Sequence, residues 1–487
     1  MSEENFTPTD TFIASEARLA KTLARPVKRF LDVEASGGIL LMIATAVALI
    51  WANSPWSDSY DSLWGTEISI ELGDWLHLVE PLSAWVNDAL MAIFFFVVGM
   101  EIKRELTVGE LKDPRKAALP AIGAVGGMVV PALLYAAFNA GGDGSAGWGI
   151  PMATDIAFAL GVVALLGDRV PPSLKVYLLT LAIVDDLGAI AVIAVFYTEQ
   201  ISVGWGAAAL GLIALTVVLR RLRVWYLPVY LILGVMLWVA VFESGVHATI
   251  AGVVLGVITP TRALRDDADG KRIGSILSKD GPLGVGDVDE AVFTIRETVA
   301  VNDRLTHFLH PWSSYVIIPI FALANAGIAL SGDAISNAAT SPVTLGVVAG
   351  LVVGKTAGVG GFAWLASRSG LCEKPAGATT AQMFGISAMA GIGFTVSLFV
   401  TSLAFEGGHG HGGEEGEIAA GEQLAAPLAE EGLSEERSAE IADEAKIGIL
   451  FASAIAAIGG AALLATGPEK SDEEVAADVA AGSAPPD

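Results

Sequence analysis

The apolar run at residues 176–197 constrains this chain more than any other feature. It reads VYLLTLAIVDDLGAIAVIAVFY, and its only charged residues are the adjacent pair Asp185 and Asp186. A bilayer with a hydrocarbon core of about 30 Å is crossed by a helix of about 20 mainly apolar residues. The run therefore predicts a transmembrane helix, and the two carboxylates inside it require an explanation.

The composition indicates that the whole chain is built for lipid. Of its 487 residues, 53% are hydrophobic and 17% are charged, and the mean hydropathy is +0.60, values typical of membrane proteins. The net charge of -25 comes largely from polar segments and from the C-terminal tail, and this acidic balance argues against binding to nucleic acid. The single Cys372 permits no internal disulfide.

The same length criterion predicts an all-α polytopic protein with about twelve transmembrane helices. They cover residues 37–52, 84–100, 117–138, 146–166, 176–197, 203–219, 224–242, 245–259, 312–330, 343–366, 377–405 and 446–466.

The basic residues give the predicted orientation. When successive connecting segments alternate between the two sides of the membrane, nearly all of the 28 Lys and Arg residues fall on the side of the N-terminus. The exceptions are Arg437, Lys446 and the intramembrane Lys355. By the positive-inside rule, both termini are expected in the cytoplasm.

The resulting organisation has five parts. We expect a cytoplasmic segment at 1–34, a transmembrane core at 35–405, an acidic extracytoplasmic loop at 406–444, a last transmembrane helix at 445–467 and a disordered acidic cytoplasmic tail at 468–487. Within the core, residues 260–310 form a polar cytoplasmic loop. Residues 53–80 include TEISIELGDWL, whose alternation of apolar and polar residues predicts a small extracytoplasmic β-hairpin; an ordinary loop is the alternative.

The candidates for charges within the hydrocarbon are Asp155, Asp185, Asp186 and Lys355. A charge at the bilayer centre costs at least about 3 kcal/mol, so such residues usually face a cavity or a partner. Adjacent helix positions point about 100° apart, so one aspartate of the pair can face an ion while the other faces a partner. A purely structural ion pair with Lys355 is the alternative, but it leaves two carboxylates without an intramembrane cation.

Chemistry and backbone both favour an ion site. Carboxylate oxygens suit hard cations and also titrate, so this cluster can exchange protons for a cation. Pro151 interrupts one span just before Asp155, and GISAMAGIGF at 385–394 places three glycines in another. Irregular backbone at membrane depth is tolerated where it lines water or is buried in protein, as in the broken helices of transporters.

Several motifs together carry a resemblance that runs through nearly all of the membrane portion. The chain resembles the NhaA-type Na⁺/H⁺ antiporters in NDALMAIFFFVVGMEIKREL (87–106), GGMVVPALLY (126–135), ATDIAFALG (153–161), AIVDDLGAI (182–190), SGVHATIAGVVLG (244–256), LHPW (309–312) and FALANAGI (321–328).

The resemblance implies a fold and a set of site residues. The fold would contain inverted repeats with two broken helices that cross near the membrane midplane. Asp186 would be the principal ligand of the transported cation and Asp185 its partner. Asp155, next to Thr154, would balance the exposed helix ends at the crossing, and Lys355 would lie close to the paired acids.

The resemblance also implies the function and its setting. The chain would be no enzyme but a secondary transporter in the bacterial inner membrane that exports Na⁺ or Li⁺ in exchange for H⁺, serving sodium and pH homeostasis. Two titratable aspartates, and the family's electrogenic members, imply two H⁺ per Na⁺. Dimerisation would use the β-hairpin, and no resident cofactor is expected. A passive cation channel is the alternative, because acids also line cation pores.

Candidate residues for pH response are Glu101, Glu105 and His247. The resemblance places the two glutamates at the pH-responsive cytoplasmic mouth, although a solvated helix face explains them equally well. His247 titrates near neutrality when unperturbed, but hydrogen-bonded packing is the alternative. The chain also departs from the family before LHPW, since Asp303 and Thr306 stand where a Lys and a Glu implicated in pH response often occur.

Overall fold

A computed structural model describes residues 36–71, 77–198, 202–222, 224, 227–262, 284–406 and 434–466. The first half of the described chain holds helices α1 (Ser36–Ala52), α2 (Ser57–Trp64), α3 (Leu82–Thr107), α4 (Pro114–Asn139), α5 (Ile156–Leu165), α6 (Pro172–Phe196), α7 (Val203–Arg221), α8 (Leu227–Phe242) and α9 (Thr249–Ile258). The second half holds α10 (Val285–Thr298), α11 (Val301–Trp312), α12 (Ile318–Asn325), α13 (Gly332–Thr340), α14 (Pro342–Arg368), α15 (Thr380–Met389), α16 (Phe394–Thr401) and α17 (Glu435–Leu464).

Wider and tighter helical turns interrupt this pattern. A π-helical turn lies within α3 at Val86–Leu90 and another within α14 at Ala349–Gly354, while Ser313–Ile317 joins α11 to α12 in the same way. A 3₁₀ helix at Asp143–Met152 precedes α5.

Six helices of the described chain are long and apolar enough to cross a membrane: α3, α4, α6, α7, α14 and α17. The number reaches nine when each pair of helices joined at a sharp bend is taken as one span. The bend is 115° between α1 and α2, 47° between the 3₁₀ helix and α5, and 41° between α15 and the helix that begins at Phe394. The chain is therefore a polytopic helical membrane protein, and the expected number of twelve spans stays a prediction.

The predicted small sheet is confirmed, within narrower limits. Strands β1 (Glu67–Glu71) and β2 (His77–Pro81) pair antiparallel, with Ser69 opposite Val79. Part of the interval expected as hairpin is instead helix α2. There Tyr60 is buried and its hydroxyl lies 2.7 Å from the Leu323 carbonyl oxygen at the end of α12, so tertiary packing holds this segment in a helix.

The segment expected as a polar loop at 260–310 also contains helices. Its described part includes α10 and most of α11, and residues 263–283 lie outside the described ranges. Likewise α17 begins at Glu435, earlier than expected, because Ser434 caps it by accepting a hydrogen bond from Arg437 N. The segments at 1–34 and 468–487 lie outside the described residues, as does most of the loop at 406–444.

The helices around the two aspartates begin at local sequence signals. Asp113 accepts a hydrogen bond from Arg115 N and caps α4, whose first residue is a proline. Ser341 caps α14 in the same way before Pro342. Side-chain oxygens satisfy free N–H groups at a helix start, and proline fits the first helical position.

Close packing of α4 brings the site together. α4 contacts both α6 and α14, so it lies against the helix that carries Asp185 and the helix that carries Lys355. Where α4 meets α14, Gly126 and Gly358 face each other, and a side chain on either would collide with the backbone of the other. The two glycines therefore let the helix that carries Lys355 lie close against α4, which also contacts α6.

Candidate ion-binding site

Two interrupted helices meet at their breaks. The break before α5 lies against the break between α15 and α16, where Asp155 N donates a 2.6 Å hydrogen bond to Ile392 O. Gly393 permits this approach, because a side chain there would meet the carbonyl oxygen of Ala153 at 3.2 Å. The extended backbone at the first break would otherwise leave polar groups unsatisfied within the membrane. Here it forms a hydrogen bond with the backbone of the second break.

Asp155 connects the two helix starts. Its Oδ1 accepts a hydrogen bond from Phe158 N at 2.9 Å and so caps α5. Its Oδ2 accepts hydrogen bonds from Thr395 N at 3.0 Å and from the Thr395 hydroxyl at 2.7 Å, at the start of α16. Helix N-termini carry partial positive charge, so one buried carboxylate balances two of them.

An ion pair lies beside this crossing. Lys355 Nζ on α14 is 2.5 Å from Asp185 Oδ2 on α6, and neither side chain is exposed. Lys355 Nζ also donates to the Thr154 hydroxyl oxygen at 3.1 Å. That hydroxyl has one proton and two acceptors in reach, Asp185 Oδ2 at 2.7 Å and Ala390 O at 2.8 Å. Thr154 therefore couples the ion pair to the crossing.

The two neighbouring aspartates retain free oxygens. Within the described part of the chain, Oδ1 of Asp185 and Oδ1 of Asp186 are both buried without a hydrogen-bond partner. Asp186 is 5% exposed, and it is close enough to Asp185, Glu101, Lys355 and Asp155 for their charges to interact. Buried polar atoms are usually satisfied, so two bare carboxylate oxygens on adjacent residues need an explanation. Anionic oxygens of this kind can bind a hard cation or a proton.

The structure thus brings together five of the residues singled out from sequence: Thr154, Asp155, Asp185, Asp186 and Lys355. The alternative of a purely structural ion pair accounts for the contact between Lys355 and Asp185. It does not account for Asp186, which lies outside that pair.

The candidates for pH response are dispersed. Glu101 on α3 is partly buried and close enough to Asp186 for their charges to interact. Glu105 accepts a hydrogen bond from Glu110 N at 2.9 Å and lines a cleft with Lys112 and Lys116. His247 precedes α9, and its Nε2 lies 2.5 Å from the Tyr197 carbonyl oxygen at the end of α6.

Asp303, one of the two residues that depart from the family pattern before LHPW, forms an ion pair. Arg104 Nε on α3 lies 3.4 Å from Asp303 Oδ1 on α11, with both side chains about half exposed. Next to it, Asn302 Nδ2 donates to Met100 O at 3.0 Å. These contacts join the C-terminal end of α3 to α11.

Sequence reasoning missed Thr395, which donates two hydrogen bonds to Asp155. The available signal was a threonine at the second position of the helix that follows the glycine-rich break. The partner lies 240 residues away in sequence, so the pairing itself could not be read locally.

Comparisons with known proteins identify relatives over most of the chain. Residues 28–464 match the model of the family described as Na⁺/H⁺ antiporter 1. The Na⁺/H⁺ antiporter NhaA 3 of Frankia alni is 43% identical over 458 residues, which cover 91% of this chain and 89% of the relative. NhaA 1 of Acidiphilium cryptum is 41% identical over 94% of this chain and 95% of its own length. NhaA of Rhodospirillum rubrum is 49% identical over 77% and 88%.

Proposed function

We propose a two-aspartate exchange mechanism for this chain, which belongs to the Na⁺/H⁺ antiporter 1 family. Members of the family are sodium transporters rather than enzymes, and family membership supports Na⁺/H⁺ exchange by this chain.

The observation that carries the mechanism is the pair of free carboxylate oxygens on Asp185 and Asp186. In our proposal Asp186 is the principal ligand of Na⁺ or Li⁺, and Asp185 joins it with its free Oδ1. Hard cations favour such oxygen ligands, and the Thr154 hydroxyl oxygen beside Asp185 can contribute a neutral one. Exchange needs no resident cofactor, since ions and protons compete for the same oxygens.

Competition at one site produces exchange. When the cation leaves, protons neutralise the buried carboxylates, because uncompensated buried charge is costly. When protons leave toward the cytoplasm, the carboxylates regain their charge and bind the cation again. Two protons per Na⁺ would make the cycle electrogenic, with net positive charge moving inward.

The second proton has two candidate carriers. In the first route both aspartates carry protons. In the second, Asp185 stays paired with Lys355 until Na⁺ arrives, and Lys355 then releases its own proton. The 2.5 Å contact between Nζ and Oδ2 is the feature that makes the second route available.

Alternating access is proposed to use the crossing of the two broken helices. Asp155 balances both helix starts and so lets the crossing remain in the membrane while neighbouring helices move. We further propose that the fold has inverted repeats and twelve spans, as broken helices near an ion site suggest.

The central experiment measures sodium-driven proton movement in proteoliposomes that contain the purified full chain. The exchange mechanism predicts opposed fluxes, in which an outward sodium gradient drives protons inward. A passive cation channel is the rival function, and it predicts downhill sodium flux without coupled proton movement. Uncoupled sodium flux would overturn the mechanism.

The regulation proposed here involves the C-terminal end of α3. Glu101 is favoured over Glu105 and His247 because its charge interacts with that of Asp186, whereas the other two side chains bind backbone groups. Replacing Glu101 by Gln should therefore shift the pH dependence of exchange more than the same change at Glu105. An equal shift for both variants would contradict this ranking.

A homodimer formed through the hairpin is also proposed. Ile68 and Ile70 lie on one face of β1 and are 40% and 43% exposed, so they offer a small apolar surface. Cysteines introduced at Ile70 should crosslink between two copies in membranes. Failure to crosslink, with efficient crosslinking elsewhere, would exclude this interface.

The proposed location is the bacterial inner membrane, with both termini in the cytoplasm. Ser336 on α13 and Ser369 after α14 are both exposed and lie at opposite ends of α14. A cysteine at Ser336 should react with an impermeant reagent added to intact cells, and one at Ser369 should not. The reverse pattern would overturn the orientation.

A further inference from the structure

The π-turn of α14, at Ala349–Gly354, ends directly before Lys355. The Lys355 backbone N–H donates to Gly350 O, five residues earlier, whereas its partner in an α-helix would be Leu351 O, four residues earlier. A turn of this kind holds one residue more than an α-helical turn, and such turns are frequent at functional sites. The site beside this one is the ion pair between Lys355 and Asp185.

A stripe of glycines on α14 follows α4 on both sides of the π-turn. Its members are spaced by four residues and are Gly346, Gly350, Gly354 and Gly358. A side chain on the first would meet Tyr135 and Asn139 of α4. One on the second or third would meet Pro131, and one on the last would meet Gly126. The whole stripe therefore lies along one neighbouring helix.

An uninterrupted α-helix could not keep this stripe straight. Gly358 follows Gly346 by twelve residues, so in a continuous α-helix it would point about 120° away from Gly346. The surplus residue of the π-turn takes back about 100°, the rotation that one α-helical residue contributes. The remaining difference of about 20° lets both ends of the stripe contact α4.

The direction of Lys355 depends on the same correction. It belongs to a second stripe beside the glycines, whose members have no exposed surface and are Val347, Leu351, Lys355 and Val359. Lys355 Nζ passes Gly127 of α4, where an added methyl group would lie 3.7 Å from it, and reaches Asp185 on α6. If α14 were α-helical throughout, Lys355 would point about 100° away from this direction and Gly354 would take its place.

Packing holds the π-turn independently of the ion pair. A side chain on Gly350 would lie 2.6 Å from Pro151 Cβ, just before the first helix break. Leu351 O lies against Gly391 in the second break, where a side chain would collide with it. Because Gly354 fits against Pro131 in the same way, neighbours on three segments fix the turn.

We propose that the π-turn is the positioning element for Lys355. By absorbing one residue between Val348 and Lys355, it directs the ammonium group at Asp185, and Gly350 and Gly354 act as positioning residues because they let the turn lie against its neighbours. The functional consequence rests on the exchange mechanism proposed above: with the turn unwound to an α-helix, Asp185 would lose its cation.

The test changes the length of the turn at Val353, its one exposed residue. Deleting Val353 removes the surplus residue, so a continuous α-helix keeps Gly346, Lys355 and Gly358 on their present faces. Inserting one alanine after Val353 adds a second surplus residue and turns Lys355 about 100° away from Asp185. An alanine inserted after Glu373, in the exposed loop that follows α14, is the matched control.

A double-mutant cycle on the melting temperature in detergent measures the coupling between Lys355 and Asp185 in each full-length background. Removing one partner of a buried ion pair strands the other charge, whereas removing both does not. In wild type, Asp185→Asn should therefore lower the melting temperature when Lys355 is present and raise it when Lys355→Gln is already in place.

The proposal predicts the same reversal of sign in the Val353 deletion and in the Glu373 control. In the insertion after Val353 the reversal should be lost, so that Asp185→Asn shifts the melting temperature in the same direction with and without Lys355→Gln. The charge displaced by a sodium jump should equal that of Lys355→Gln in the insertion variant and that of wild type in the deletion variant.

A turn that only fills space predicts a different pattern. Deletion and insertion at Val353 would then abolish the coupling equally, or Lys355 would reach Asp185 in either register. Coupling that persists in the insertion variant, or that disappears in the deletion variant, would overturn the proposal.

A variant of unchanged length decides the question if a length variant fails to fold. Combining Lys355→Thr with Thr356→Lys moves the ammonium group one position along α14, about 100° around the helix. We expect no coupling between the relocated lysine and Asp185. Coupling of wild-type size would show that register does not matter and would overturn the proposal.

The outcome is separable from that for the exchange mechanism, because the melting temperatures do not depend on transport. Undiminished exchange in Asp186→Asn would refute the ion site and leave the positioning of Lys355 standing. Coupling that persists in the insertion variant, alongside an inactive Asp186→Asn, would refute only the role of the π-turn.

Discussion

The buried aspartates of this protein occupy two regions that differ in how completely their oxygens are hydrogen-bonded. At the helix crossing, both oxygens of Asp155 accept hydrogen bonds from the starts of two helices. On α6, Asp185 and Asp186 each retain one buried oxygen without a partner among the described residues. Burial alone therefore does not distinguish an acid that supports the fold from one that binds an ion. In the proposed mechanism, the number of unsatisfied oxygens makes that distinction.

The largest expected effect comes from Asp186→Asn, which tests the region of α6 where Asp185 and Asp186 retain oxygens without hydrogen-bond partners. Removing the charge of the main ligand should lower exchange by more than about hundredfold, since a lost interaction with a buried ion costs at least about 3 kcal/mol. Folding should survive, because neutralising a buried acid also reduces its desolvation cost. Proton movement and protein yield are measured together in proteoliposomes.

Asp333→Asn provides the control for that variant. It makes the same chemical change at an exposed position in the first turn of α13. Exchange should stay close to wild type. Equal losses in both variants would mean that the assay reports general damage, and undiminished exchange in Asp186→Asn would remove it as the principal ligand.

A second effect should fall on stability rather than on ion binding. In Asp155→Asn, one carboxylate oxygen becomes an NH₂ group that faces a backbone N–H, so the hydrogen bond between them is lost. The substitution also removes the negative charge that balances two helix starts. We expect a loss of about 2–4 kcal/mol in the free energy of unfolding, seen as a lower melting temperature in detergent.

Asp113→Asn is the comparison for this stability effect, because Asp113 also caps a helix but does so for α4 alone and at an exposed position. It should cost less than about 1 kcal/mol. Equal melting temperatures for Asp155→Asn and wild type would break the distinction between the two regions.

The third prediction concerns charge movement and separates the two proton routes. If Lys355 carries the second proton, Lys355→Gln should lose charge displacement before it loses exchange. If both aspartates carry protons, Asp185→Asn should do so instead. A sodium jump on a solid-supported membrane measures the displaced charge, and the absence of displacement in an actively exchanging wild type would refute two protons per Na⁺.

The smallest effects should come from a matched pair of threonines, one in each region. Thr395→Val removes a hydroxyl that serves only Asp155 and should cost about 1 kcal/mol of stability with little change in sodium affinity. Thr154→Val removes a hydroxyl that contacts both Lys355 and Asp185, so the apparent KM for Na⁺ should change severalfold. Identical effects of the two substitutions on the apparent KM for Na⁺ would contradict the proposed difference between the two regions.

Sequence reasoning reached the membrane setting and the identity of the buried charges because both depend on local composition. A charged residue inside a long apolar run must be in or near the membrane wherever the helices pack, which located Asp155, Asp185, Asp186 and Lys355. The alternation around Ile68 and Ile70 likewise predicted the small sheet. Helix α2 was missed, because its burial depends on a contact between Tyr60 and the distant end of α12.

By itself, the sequence determined which segments lie in the membrane and which helix starts carry capping residues. It also identified the four charged residues, Asp155, Asp185, Asp186 and Lys355, that the membrane interior must accommodate. The tertiary structure alone decided which oxygen of each aspartate is satisfied. That outcome depends on contacts across more than 150 residues, such as Lys355 with Asp185 and Thr395 with Asp155. Those contacts follow from the close approach of α4 and α14 at Gly126 and Gly358, and from two helix breaks lying against each other. Hydropathy is a property of each residue and its neighbours, whereas hydrogen-bond satisfaction requires partners that only packing can bring into reach.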